Sequence, residues 1–270
     1  MRSLLFLPAL LGAFAGQPAE PVNLFSPDGN DPRREQIQVG SGKAYAPIGQ
    51  LITRDDVPFL AGAEMKKGRL ATTATLVSPC YALATAHGVF GSSASTDFQD
   101  LRFRSISEDG KGYVETEAWP VAWGGTRKFA DDWALIHLTK CEGRRLGWMK
   151  LSSATFAQLD NKNVETAGFP GDKPMGLWRH APCKLMGFEM SIGLLSTDCA
   201  ARHGASGAPI LMRDSKGVPE IVGMVVQETN TKAEVLRQFD RMHANLAVYT
   251  PGIWANIRSY VEADLKTAGR

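Results

Sequence analysis

Gly204-Ala205-Ser206-Gly207-Ala208-Pro209 is the stretch on which the reading of this chain turns. A serine lies between small residues, a glycine stands two positions before it, and Ile210-Leu211-Met212 follows as an apolar run that predicts a buried strand. Small residues let the backbone turn sharply and let another molecule's carbonyl approach. They also free backbone N–H groups to point at one spot. A serine hydroxyl is a weak nucleophile until a base takes its proton. The turn therefore directs attention to the histidines and carboxylates elsewhere in the chain.

Two upstream stretches supply them. Thr85-Ala86-His87-Gly88 closes a strand-like run, Tyr81–Thr85, and Asp131-Asp132-Trp133-Ala134-Leu135 opens another. The order His87, Asp132, Ser206, in these local settings, resembles the chymotrypsin/trypsin-like serine proteases, and within them the V8-like, glutamyl-endopeptidase-type bacterial branch. In that family the base sits in a Thr-Ala-Ala-His run and the acid precedes a hydrophobic-Ala-Leu run. The nucleophile lies in Gly-Asp-Ser-Gly-Gly-Pro. The resemblance runs from about Tyr45 to the C-terminus.

What the resemblance implies is an all-β fold, two six-stranded antiparallel β-barrels (chymotrypsin-like) with a C-terminal α-helix. The activity implied is that of an exported trypsin-like serine endopeptidase. Ser206 would form an acyl-enzyme, His87 would act as general base, and Asp132 would orient its imidazole. The backbone N–H groups of Gly204 and Ser206 would form the oxyanion hole. Asp131 competes for the role of acid, and the family pattern selects Asp132 because it directly precedes Trp133-Ala134-Leu135. By position, Ala200, Ala201, His203, Val225, Val226 and Gln227 surround the substrate pocket, with Glu228 closing that segment. No metal site and no organic cofactor are implied. The partner is a polypeptide substrate, and a monomer is expected.

Departures from the family pattern refine this. The acid that usually precedes the nucleophile is Ala205, so activation by an ion pair between that acid and a new N-terminus is excluded. The cysteine expected after the base is Gly88, and its partner position is Thr72, so both halves of that bridge are missing together. The cysteine found in some relatives three residues after Cys199 is Arg202. Glutamyl endopeptidases carry a histidine where Val225 stands, and Val226 replaces a serine that usually contacts the acid. A small or apolar residue before the scissile bond is the expectation. The altered surroundings also keep open a second reading, a catalytically silent homologue that binds a protein partner. An α/β-hydrolase is disfavoured, because that fold wants Gly-x-Ser-x-Gly and the order Ser, acid, His.

Of the other histidines, His137 reads as the outward polar member of a strand, while His180 and His243 read as loop residues. Four cysteines allow three pairings. Cys183–Cys199 and Cys80–Cys141 are favoured, each staying within one half of the chain. No Cys-x-x-Cys motif suggests a metal instead.

The 270 residues suffice for one or two compact domains, and a net charge of +2 offers no basic footprint for nucleic acid or a membrane surface. Arg2 followed by the apolar run Leu4–Phe14 and Ala13-Phe14-Ala15 predicts a signal peptide over residues 1–15, hence a secreted or periplasmic protein. Residues 16–44, rich in Pro, Asn, Asp and Gly, read as an arm or pro-segment, with Arg33-Arg34 a candidate processing point. Short strand-like runs then predict an N-terminal barrel over 45–145 and a C-terminal barrel over 146–250. A helix over 251–268 follows, with Thr250 as its cap and Pro251 in its first turn.

Overall fold

Short β-rich runs with apolar residues on alternate positions can bury one face only by closing on themselves or on a second sheet. The computed structural model describes residues 34–37, 43–53, 57–61, 64–68, 71–90, 100–107, 112–125, 128–171, 173, 175–228, 239 and 241–269. The expected signal peptide and Arg33 lie outside the described residues.

Six strands close the first barrel: β1 (Ile48–Ile52), β2 (Ala71–Leu76), β3 (Tyr81–Ala84), β4 (Leu101–Ile106), β5 (Tyr113–Trp123) and β6 (Ala134–Leu138). Six more build the second: β7 (Asn163–Gly168), β8 (Trp178–Glu189), β9 (Leu194–Thr197), β10 (Pro209–Arg213), β11 (Pro219–Gln227) and β12 (Asn245–Tyr249). Neighbours run β1-β2-β3-β6-β5-β4 around the first barrel and β7-β8-β9-β12-β11-β10 around the second, all antiparallel. The two halves therefore share one strand order, although no sequence repeat links them.

Side-chain parity sorts these strands into three cores. Ala82, Ala84, Phe103, Ala134, Ile136 and Leu138 fill the first barrel. Val164, Leu185, Leu195, Ile210, Val222 and Ala247 fill the second. Outward-facing residues, Leu83, Trp133 and Leu135 from one barrel and Leu211, Ile221, Met224 and Val248 from the other, meet in a third cluster, a register shift opposite Ile210 and Leu211 putting Val222 and Met224 on different sides of the strand. That is why β6 is buried on both faces except at His137, where the outer face leaves the seam.

The C-terminal helix, Thr250–Ala268, buries Ile253, Ile257 and Val261 in this third cluster. It reaches back to the first barrel, where Asp264 Oδ2 accepts from Ser78 Oγ at 2.6 Å and from Cys80 N at 2.7 Å. Thr250 begins the helix and does not cap it through its side chain, because its hydroxyl donates to the carbonyl of Ile221. Cys80 pairs with Cys141 and Cys183 with Cys199, so each cross-link stays within one barrel.

Several elements lie beyond the expected series. Arg34–Gln36, read from sequence as part of an arm or pro-segment, pairs with β8, and Arg179 bonds Glu35 at 2.6 Å. Val57–Ala61 and Glu64–Gly68 form a hairpin, and Lys150–Leu151 pairs in parallel with β11. His180, expected in a loop, lies in β8 and is buried. His137 is half-buried between the rings of Tyr81 and Trp119. Among the described residues no helix is long and apolar enough to cross a membrane.

Tyr45 joins the seam to a charged cluster on the second barrel. Its hydroxyl accepts from Arg213, which also bonds Glu165. Burial, and then the Glu165 carboxylate beside it, push the phenol up to about 12.

Two outcomes test this packing. Asp264→Asn weakens two charge-assisted hydrogen bonds that tie the helix to the first barrel, and should cost about 1–3 kcal/mol by denaturant titration. Between the ordinary phenol pKa and about 12, the unfolded Tyr45 loses a proton that the folded one keeps. Stability should therefore fall as pH rises through that window, and Tyr45→Phe should flatten the slope in pH-dependent melting.

Candidate active site

The pairing of β3 with β6 sets up the first half of the site. Ala84 lies opposite Ala134, so the chain leaving β3 and the chain entering β6 emerge at the same barrel end. His87, three residues beyond Ala84, sits in a helical turn, Ala86–Phe90, and Asp132 sits two residues before Ala134. Trp133 anchors that entry in the seam, and the Asp132 side chain is buried.

Its carboxylate grips His87 twice. Oδ1 accepts from the His87 backbone N–H at 2.9 Å, and Oδ2 lies 2.6 Å from Nδ1. A carboxylate can only accept here, so Nδ1 carries the hydrogen and Nε2 is left as the lone-pair nitrogen. The imidazole is 38% exposed, so Nε2 can meet another molecule. Asp131 is exposed and takes no part: its backbone carbonyl serves Gly125 and Trp133.

The second half is the turn before β10. Two of its residues need positive φ, Gly204 at +88° and Gly207 at +85°. A Cβ at Gly207 would fall 1.9 Å from the carbonyl oxygen of Thr73, and one at Gly204 would fall 2.6 Å from that of Phe169. Only glycine satisfies both the dihedral and the close approach.

The His203 carbonyl accepts from Gly171 N–H, and the Gly204 carbonyl from the Thr73 hydroxyl. The Ala205 carbonyl accepts from Ala208 N–H, and the Ser206 carbonyl from Thr73 N–H and the Thr72 hydroxyl. Ala205 N–H donates to Arg202 and Gly207 N–H to Val225. From Gly204 to Ala208, the N–H groups left without an acceptor among the described residues are those of Gly204 and Ser206. Both lie on the same tight turn as the Ser206 hydroxyl.

The Ser206 hydroxyl makes no hydrogen bond to the His87 imidazole among the described residues. Such contacts are often long in an unliganded site and tighten when substrate binds. What joins the two halves is Thr72, which bonds the Ser206 carbonyl, lies 3.5 Å from the Thr85 hydroxyl and packs beside Gly88.

No family model matches the chain, and no curated protein matches it in sequence. Among solved structures, a Glu endopeptidase in complex with MPD aligns with a TM-score of 0.60 at 17% identity, covering 87% of this chain and 98% of that one. This is the chymotrypsin-like fold.

In this chymotrypsin-like frame a pocket of about 170 Å³ opens beside Ser206. Ala201, His203, Val225, Val226 and Gln227 line it, together with Arg202 and Glu228. Ala200 does not line it. It is buried, and its N–H donates to Nδ1 of His180 at 2.6 Å. The wall is thus not simply apolar: Arg202 is only 8% exposed and brings a guanidinium, and Glu228 brings a carboxylate. In the sequence Arg202 reads only as a missing cysteine. A charged residue directly before a histidine and a glycine turn was the available signal, but it does not say whether the side chain turns inward.

A hydrogen shared between Nδ1 and a carboxylate gives a proton resonance far downfield. That resonance is expected in the native protein, should persist in Asp131→Asn, and should vanish in Asp132→Asn.

Proposed function

We propose that this chain is an exported trypsin-like serine endopeptidase, related to the V8-like branch, that cleaves polypeptides through an acyl-enzyme on Ser206. The observation that carries this reading is the Asp132 carboxylate on His87 Nδ1 at 2.6 Å, which leaves Nε2 as a base. Two disulfides suit an oxidising compartment, in keeping with export.

In the proposed reaction Nε2 of His87 takes the Ser206 hydroxyl proton as Oγ attacks the scissile carbonyl carbon. The carbonyl oxygen becomes an oxyanion and is held by Gly204 N–H and Ser206 N–H, which have no acceptor to give up among the described residues. The imidazolium, steadied by Asp132, then hands its proton to the departing amine as the C–N bond breaks. Water repeats the sequence: it gives a proton to Nε2, adds to the acyl carbon, and releases the acid as Ser206 regains its hydrogen. The side chain preceding the scissile bond would enter the pocket between Ala201 and Val226. Every step uses groups of the chain, the polypeptide and water, and calls for no metal or organic cofactor.

A silent homologue acting as a protein-binding module is the second reading. It draws on the absence of a bond from the Ser206 hydroxyl to His87 and on Val226 beside the pocket.

A fluorophosphonate probe separates the two. We expect covalent labelling at Ser206, lost in Ser206→Ala and His87→Ala, with peptide turnover lowered on the order of ten-thousandfold in Asp132→Asn. No labelling of the folded native protein would favour the silent homologue.

A further inference from the structure

The turn that carries Ser206 belongs to the second barrel, yet three of the groups that fix its carbonyls come from β2 of the first. We propose that Thr72 and Thr73 are positioning residues that clamp this turn from across the seam: they fix the Gly204–Ala205 and Ser206–Gly207 peptides, and through these two flanking planes they steady Gly204 N–H and Ser206 N–H. The inference rests on the functional reading above and assigns to it residues outside the triad and the oxyanion donors.

Thr73 does most of the work. Its backbone N–H donates to the Ser206 carbonyl at 2.8 Å. Its hydroxyl accepts from Phe169 N–H at 3.1 Å and donates to the Gly204 carbonyl at 2.9 Å. The hydroxyl is therefore used in both directions, as a relay from the β7 end to the glycine turn. The residue is wholly buried, and a β-branched side chain has few rotamers to escape into. Thr72 adds a second donor to the Ser206 carbonyl.

The clamp answers a weakness of the turn itself. Glycine at positive φ permits the sharp bend and also lets neighbouring peptide planes rotate. A rotation of the peptide between His203 and Gly204 would swing Gly204 N–H away from the serine, and a rotation of the next one would change the backbone angles at Gly204 between that N–H and the serine. Gly171 N–H pins the first carbonyl and the Thr73 hydroxyl pins the second. With both oxygens held against the scaffold, the N–H of Gly204, trans to the first, faces the other way.

Thr72 links this clamp to the histidine. A Cβ on Gly88 would lie 2.6 Å from Thr72 Cγ2, so the two residues that replace the expected bridge are in contact. The Thr72 hydroxyl lies 3.5 Å from that of Thr85, two residues before His87. Where the family resemblance places a covalent cross-link, this chain has a hydroxyl that reaches toward both halves of the site.

The test compares Thr73→Val, which keeps shape and loses the hydroxyl, with Thr73→Ser, which keeps the hydroxyl. The readouts are the rate constant for fluorophosphonate labelling of Ser206, the melting midpoint, and amide exchange of the 203–208 segment by mass spectrometry. Phosphonylation, like acylation, builds negative oxygen against the two N–H groups, so their misplacement slows it. Thr73→Val should label about 10–100-fold more slowly, less than the full loss of an oxyanion donor, and its 203–208 amides should exchange faster. Thr73→Ser should label near the native rate and melt with Thr73→Val. Thr72→Val, milder because Thr73 N–H still holds the Ser206 carbonyl, should move both readouts the same way and serves if Thr73→Val does not fold. Native-like labelling and exchange in Thr73→Val, or an equal loss in Thr73→Ser, would overturn the clamp. A native protein that never labels would sink the catalytic reading instead, and exchange of the 203–208 segment would still decide whether the hydroxyls hold the turn.

Discussion

The apolar seam between the barrels is the constraint on which the rest depends. Each barrel fills its interior with one parity of side chains, which leaves Leu83, Trp133 and Leu135 on one outer face and Leu211, Met224 and Val248 on another. Left in water these faces would each cost free energy in proportion to their apolar area, so the barrels dock. Docking presses the Thr72–Thr73 edge of β2 against the glycine turn before β10. The C-terminal helix, with its apolar stripe in the same cluster and Asp264 on the loop before β3, closes the seam from outside.

Polar groups at this seam are arranged by what they are forbidden to do. Carbonyls packed at the seam need donors: those of His203, Gly204 and Ser206 find them in the scaffold, and that of Ala205 finds one within the turn, at Ala208. Two N–H groups on the same turn are left without an acceptor among the described residues, beside a hydroxyl. The buried Asp132 carboxylate spends both oxygens on His87 and so settles which ring nitrogen bears hydrogen. The two halves of the site differ in character: one is built from side-chain ionisation, the other from backbone geometry that only glycine permits.

The shared strand order of the barrels has a consequence for where chemistry sits. In the first, the paired strands β3 and β6 deliver His87 and Asp132 to one end. In the second, the segment between β9 and β10 delivers the Ser206 turn, and β11 supplies the pocket wall through Val225, Val226 and Gln227. Strands hold these loops rigidly, while the loops themselves carry the reactive groups. Arg202 and Glu228 put residues of opposite charge among the lining of a pocket whose neighbours are Ala201 and Val226.

Much of this was legible before any coordinates. Short strand-like runs marked a barrel in each half, because burial of one face is a local fact of a strand, and Thr250-Pro251 marked the start of the C-terminal helix. The local settings of His87, Asp132 and Ser206 could be read, because small residues and the start of an apolar run are short-range signals, and the structure brings Asp132 onto His87. The polar strand Arg34–Gln36 was not legible, since its pairing with β8 depends on a distant edge that offers backbone hydrogen bonds. Nor was the inward turn of Arg202, the burial of His180, or the retreat of Ala200 behind the pocket. The sequence by itself determined which residues could bend, ionise or hide from water. Only the tertiary structure decided that two threonines in one barrel hold the serine turn of the other, because hydrogen bonds between residues more than a hundred positions apart leave no local pattern to read.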